Sequence, residues 1–105
     1  MAEKDAMPPT TDGQDLTRLW EIHQAAEWPA GVGSREGELM TLDTVVCGCV
    51  TYFFEEHELD PQRVAILEDC LSDLEAALPE LTEESLDYFQ RVKQLGALLL
   101  EAGRR

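Results

Sequence analysis

Leu39–Phe54, LMTLDTVVCGCVTYFF, constrains the fold more than any other stretch of the chain. It is bulky and apolar, and it carries no proline. It is too long for an ordinary strand, which stops near ~5–6 residues, so a helix is expected. At about 100° per residue, Leu39, Met40, Leu42, Val45, Val46, Cys47, Cys49, Val50, Phe53 and Phe54 cover well over half the circumference. A surface helix needs an apolar stripe only about 100° wide. This one is therefore expected to be largely buried, with the other segments wrapped around it. The remaining side is narrow and weakly polar: Thr41, Thr44, Gly48 and Thr51, then Glu55. Small residues let a second backbone come close, so this seam is expected to meet a neighbouring helix, with Gly96 opposite. The threonine hydroxyls can also bond back to carbonyls one turn earlier. Asp43 and the threonines interrupt the run, which falls short of the ~20 residues of a membrane span.

A chain of 105 residues suits one domain with one modest core. Asp and Glu number 22 against 8 Lys and Arg, a net charge of −14. Direct binding to a nucleic acid backbone needs a basic footprint and is not expected. Anionic membrane surfaces are disfavoured for the same reason. No charged-then-apolar segment opens the chain, so no secretory signal is expected. The 3 cysteines sit in apolar stretches and read as reduced thiols in the cytoplasm.

Met1–Gly13 is polar, with Pro8, Pro9, Thr10 and Thr11, and is expected to be a disordered tail before a bundle spanning residues 14–103. A first helix is expected over Gln14–Trp28, capped by Asp12 or Gly13, with Leu16, Leu19, Trp20, Ile22 and Ala26 on one face and Pro29 ending it. The loop Pro29–Gly37 contains Gly31-x-Gly33. It lacks the preceding strand, third glycine and lysine of a phosphate loop. Ser34 is expected to cap the second helix, which ends near Glu58. Leu59-Asp60-Pro61 is the clearest boundary: aspartate caps, and proline fits the first helical position. The third helix then runs to about Leu78, where Pro79 breaks it. Thr82 restarts the chain as a cap, with Leu81 placed to staple against Leu86, and the last helix runs to Gly103. Short connections favour antiparallel neighbours. The expectation is an all-α, up-and-down four-helix bundle with a core of Leu42, Val46, Val50, Phe53, Leu67, Leu71, Leu74, Phe89, Val92 and Leu99.

Few residues invite chemistry. Cys47 and Cys49 are two apart, so on a helix their side chains diverge by about 200° and cannot hold one ion. Metal and redox pairs use C-x-x-C on a turn. With Cys70 they read as small core fillers. His23 and Asp43 each intrude into an apolar arc, and two polar groups aimed at one core are expected to satisfy each other, a backbone group or an indole N–H. The sharper alternative makes Cys47, His23 and Asp43 a nucleophile, its base and its orienter. Glu55, Glu56, His57, Glu58 and Asp60 are the densest set of metal-ligand types, read as a solvated helix end. No cofactor and no metal are expected.

These readings point to a non-catalytic protein-interaction or regulatory module. Its surface is expected to run from Glu55, Glu56, Glu58 and Asp60 along Glu68, Asp69 and Asp73 towards Glu75, Glu80, Glu83, Glu84 and Asp87, and to steer a basic protein partner. A nucleic-acid mimic or immunity-type inhibitor of a basic partner is the first alternative, and the thiol enzyme is the second. Leu98 lies off the main face of the last helix and is a candidate contact in a homodimer, weighed equally with a monomer.

Overall fold

The computed structural model describes residues 12–103, and side-chain environments from residue 15. Four α-helices follow in order: α1, Asp12–Ala25; α2, Glu36–Glu56; α3, Pro61–Ala77; and α4, Glu83–Gly103. Single 3-10 turns at Gly33–Arg35 and Leu78–Glu80 lead into and out of them, and no strand occurs among the described residues. The protein is an all-α four-helix bundle, as the apolar periodicity predicts. The expected tail falls largely on residues 1–11, outside the described residues, and Asp12 and Gly13 belong to α1 rather than to the tail. Arg104 and Arg105 also lie outside them.

Proline and aspartate set the boundaries. The Asp60 carboxylate accepts the Arg63 backbone N–H at 2.8 Å, with Pro61 opening α3. That cap is worth about 1 kcal/mol. At the start of α4 the Ser85 hydroxyl donates to the Thr82 carbonyl at 2.8 Å, and the Thr82 N–H donates to the Ser85 hydroxyl at 3.4 Å. A serine three residues in, rather than the Thr82 side chain, closes this end. Ser34 makes no side-chain cap; it lies in the 3-10 turn, and α2 begins at Glu36. α1 stops at Ala25, earlier than Trp28, with the Ala26 N–H still reaching the His23 carbonyl at 3.1 Å as the last turn closes; Pro29 constrains Trp28 alone. Gly31 and Gly33 have φ of 74° and 86°. Backbone geometry accounts for this Gly-x-Gly.

Leu16, Leu39, Val46, Val50, Leu67, Leu74, Phe89, Val92, Leu95 and Leu99 are wholly buried. Phe53 and Leu71, expected inside, are half-buried and pack against this core. α2 buries Leu39, Leu42, Val46, Cys49 and Val50, but α4 is the hub: it packs on α1, α2 and α3 alike. Its buried residues Ser85, Tyr88, Phe89, Val92, Leu95, Gly96, Leu99 and Leu100 recur at steps of three and four, wide enough a stripe to meet three neighbours.

The seam of α2 corrects one expectation. Thr41, Thr44, Gly48 and Thr51 are exposed, and a Cβ at Gly48 would meet nothing within 4 Å. The Thr41 and Thr51 hydroxyls donate to the carbonyls of Gly37 and Cys47, both at 3.1 Å, so they are satisfied without a partner helix. Close approach occurs elsewhere: a Cβ at Gly96 would lie 2.6 Å from Leu71 Cδ2 on α3.

Candidate functional site

Two features stand out on this frame: the acidic outer face of α3, and a polar cluster sunk between α1, α2 and α4.

Glu68, Asp69 and Asp73 are exposed on α3, as expected from its amphipathic pattern. Glu55, Glu56 and Glu58 are exposed just before it, and Glu75 at its far end. Asp60 differs. It is half-buried, caps α3 and pairs with the Arg63 guanidinium at 2.6 Å. Its charge is therefore spent within the fold, and the Arg63 guanidinium also lies 3.7 Å from the Tyr52 ring centroid. Leu98 is half-buried and lines a groove with Leu19 and Ile22 of α1. Ile22 is 48% exposed, so the apolar part of that groove is contributed by both helices.

The polar cluster centres on Asp43. Its carboxylate accepts from His23 Nε2 at 2.8 Å and from Cys47 Sγ at 3.4 Å on one oxygen, and from the Tyr88 hydroxyl at 2.6 Å on the other. An ionised carboxylate only accepts, so this geometry places the imidazole proton on Nε2. Helical spacing explains half of it: Cys47 follows Asp43 by four residues and stacks above it on the same face. Tertiary packing explains the rest, bringing His23 from α1 and Tyr88 from α4. The His23 side chain is 4% exposed and that of Asp43 13%. Aromatic rings wall the site. Tyr88 lies 4.9 Å from His23 and 5.5 Å from Trp28, and Trp20 stacks on His23 at 6.4 Å. Trp28 is held in turn by its indole N–H, which donates to Glu36 at 2.8 Å.

The electrostatics follow from that arrangement. Burial alone pushes the Asp43 carboxyl up, but the hydrogen bonds from His23 and Tyr88, the adjacent imidazole and the Cys47 thiol outweigh it and hold the group below the usual range. Burial and the adjacent carboxylate push the Cys47 thiol up to about 12. Burial and the bond to Asp43 push the Tyr88 hydroxyl up as well. Cys49 and Cys70 are free thiols and both are raised, chiefly by burial.

His23 and Asp43 thus satisfy each other, as two polar groups on apolar arcs should. Cys47 joins them, but on the wrong neighbour for a nucleophile. The thiol faces the carboxylate, which opposes ionisation, and the imidazole is committed to the same oxygen. Tyr88 was not singled out from the sequence. The available signal was a tyrosine on the apolar stripe of α4, whose buried O–H needs a partner. The metal-ligand types that do converge among the described residues are His23, Asp43 and Cys47, not the run from Glu55 to Asp60. Among the described residues no helix is long and apolar enough to cross a membrane. In comparisons with known proteins, no family model, no curated protein and no solved structure matches the chain.

Proposed function

We propose that this protein is a small cytosolic, non-catalytic module that binds another protein, and that its acidic face selects a basic one. The observation that supports this reading is the set of exposed acids on the second half of α3 and on the turn before it. Glu55, Glu56 and Glu58 stand exposed at one end, Glu68, Asp69 and Asp73 along the middle, and Glu75 at the other end. The α3 acids run from Glu68 to Glu75, about 10 Å of helix at ~1.5 Å per residue. Two nearby arginines do not neutralise it. Arg35 is taken by Glu38 and Glu80, and Arg63 by Asp60. With a net charge of −14 the field is strongly negative and would raise the encounter rate with a basic surface. The three free thiols agree with a reducing compartment.

The test compares capture from a lysate by wild type and by the Glu68→Lys, Asp69→Lys, Asp73→Lys triple variant, at low and at high salt. A partner steered by charge is retained by wild type at low salt and lost in both other conditions. A partner indifferent to salt and to the triple variant, yet lost in Leu98→Glu, places the interface in the α1–α4 groove and overturns the acidic reading. An inhibitor that mimics nucleic acid is the extreme form of the same reading, distinguished by competition from added DNA or RNA for the captured partner. The thiol-enzyme alternative draws no support from the geometry, because Asp43 stands between His23 and Cys47.

A further inference from the structure

We propose that His23 Nε2, Asp43 Oδ1 and Cys47 Sγ form a binding site for a divalent transition-metal ion of the zinc class. These donors come from α1 and α2 and lie within 4.8 Å of one another. A tetrahedral zinc ion with bonds of about 2.0–2.3 Å holds its ligand atoms roughly 3.3–3.7 Å apart. The sulfur–oxygen separation is already 3.4 Å and the nitrogen–oxygen separation 2.8 Å. Ligand spacing then requires that second pair to open by roughly half an ångström and the third, His23 Nε2 to Cys47 Sγ, now within 4.8 Å, to close by up to roughly 1 Å, a side-chain adjustment in each case.

Two further observations converge on a metal. The first is donor chemistry: imidazole, thiolate and carboxylate together suit zinc or cobalt, whereas magnesium and calcium want oxygen alone. The second is preorganisation. Asp43 and Cys47 sit one helical turn apart, and the Tyr88 hydroxyl on the far carboxylate oxygen fixes Asp43 with Oδ1 towards His23 and Cys47. A hydrogen bond to a ligating carboxylate from outside the ligand set is a common feature of protein metal sites.

Charge also balances. On binding, the Cys47 thiol proton leaves to solvent and the imidazole proton moves from Nε2 to Nδ1. The two positive charges of the ion then meet one carboxylate and one thiolate, and the buried site is neutral. Asp43 and Cys47 are partly exposed, which leaves a solvent-side path for the ion and a position for a water ligand.

The experiment titrates metal-free protein with cobalt(II) and reads the absorption spectrum. Wild type should take up one equivalent, with a near-ultraviolet thiolate-to-cobalt band and the strong visible bands of a tetrahedral site. Zinc should bleach both at one equivalent. Cys47→Ser should lose the near-ultraviolet band, while Cys49→Ser, Cys70→Ser and His57→Ala keep it. Tyr88→Phe should bind roughly 10–100-fold more weakly with the same spectrum. Should Cys47→Ser fail to fold by circular dichroism, His23→Gln replaces it, and the visible bands should weaken or vanish. Absence of a thiolate band in wild type at saturating cobalt overturns the proposal, and so does its persistence in folded Cys47→Ser.

Discussion

Two glycine substitutions separate the observed packing from the packing the small seam suggests. Gly48 and Gly96 both lie inside long helices, where glycine costs about 0.8–1.0 kcal/mol relative to alanine. A methyl at Gly48 meets no atom within 4 Å, so Gly48→Ala should stabilise by about the propensity gain, 0.5–1 kcal/mol. A methyl at Gly96 would sit 2.6 Å from Leu71 Cδ2 and 3.4 Å from Leu71 Cγ. Overpacking of this kind costs roughly 1–3 kcal/mol. Leu71 is half-buried and the clash is with the end of its side chain, so the lower half of that range applies. Set against the same propensity gain, Gly96→Ala should fall between neutral and about 1 kcal/mol destabilised. The two variants should therefore differ by ~1–2 kcal/mol, which for a domain of this size is a separation of several degrees in melting temperature. Urea denaturation of both, with matched m-values, measures it. Gly48→Leu should also be tolerated, because its side chain points to solvent. If Gly48→Ala costs as much as Gly96→Ala, or Gly48→Leu loses more than ~1 kcal/mol, the seam is a packed interface and the bundle is assembled differently.

Two further predictions concern helix ends. His57 closes α2 in the left-handed region, with φ 62°. His57→Gly should raise stability by about 1 kcal/mol, read from the urea midpoint, since only glycine adopts that conformation freely. Asp60→Ala should cost about 1 kcal/mol through loss of the α3 cap, while Asp60→Asn, which keeps a side-chain acceptor but not the charge, should stay within a few tenths of wild type. Equal losses in the two would assign the effect to the Arg63 pair instead.

The punctuation of this chain was legible because it is local. Asp60-Pro61, Pro79 and Pro29 act on the backbone within a turn of themselves, and each marks a helix boundary in the structure. The core faces of α3 and α4 were legible because period 3.6 needs no knowledge of the partner. The α2 seam was not. Threonine and glycine suit a close helix contact and a solvated face equally, and no residue of the seam distinguishes them. Which side of α2 faces inward is decided by its packing on α3 and α4, whose side chains lie far away in sequence. Helix α4 was underrated for a related reason. Its apolar residues are fewer per turn than those of α2, but they share one broad stripe, and it is arrangement rather than total hydrophobicity that lets a helix serve three neighbours.

The polar cluster was half legible, and the missing half carries its meaning. Two polar groups on apolar arcs can be inferred to find each other, since an unpaired one costs about 1–3 kcal/mol. Nothing local says that Tyr88, 45 residues beyond Asp43, supplies the third bond. That bond changes what the cluster is. α1 packs chiefly on α4, while Asp43 belongs to α2, so the bonds from His23 and Tyr88 tie three helices to one carboxylate. A pairing of His23 with Asp43 alone would leave one carboxylate oxygen turning freely between partners. With Tyr88 holding that oxygen, the other is fixed between an imidazole and a thiol. The same three-way bonding that specifies where α1 docks therefore also points the donor atoms of α1 and α2 at one place. Helical spacing on α2 already sets Cys47 one turn above Asp43 and within 3.4 Å of the same oxygen, so the proposed ion would use a contact that the helix supplies and that helix docking by itself does not require.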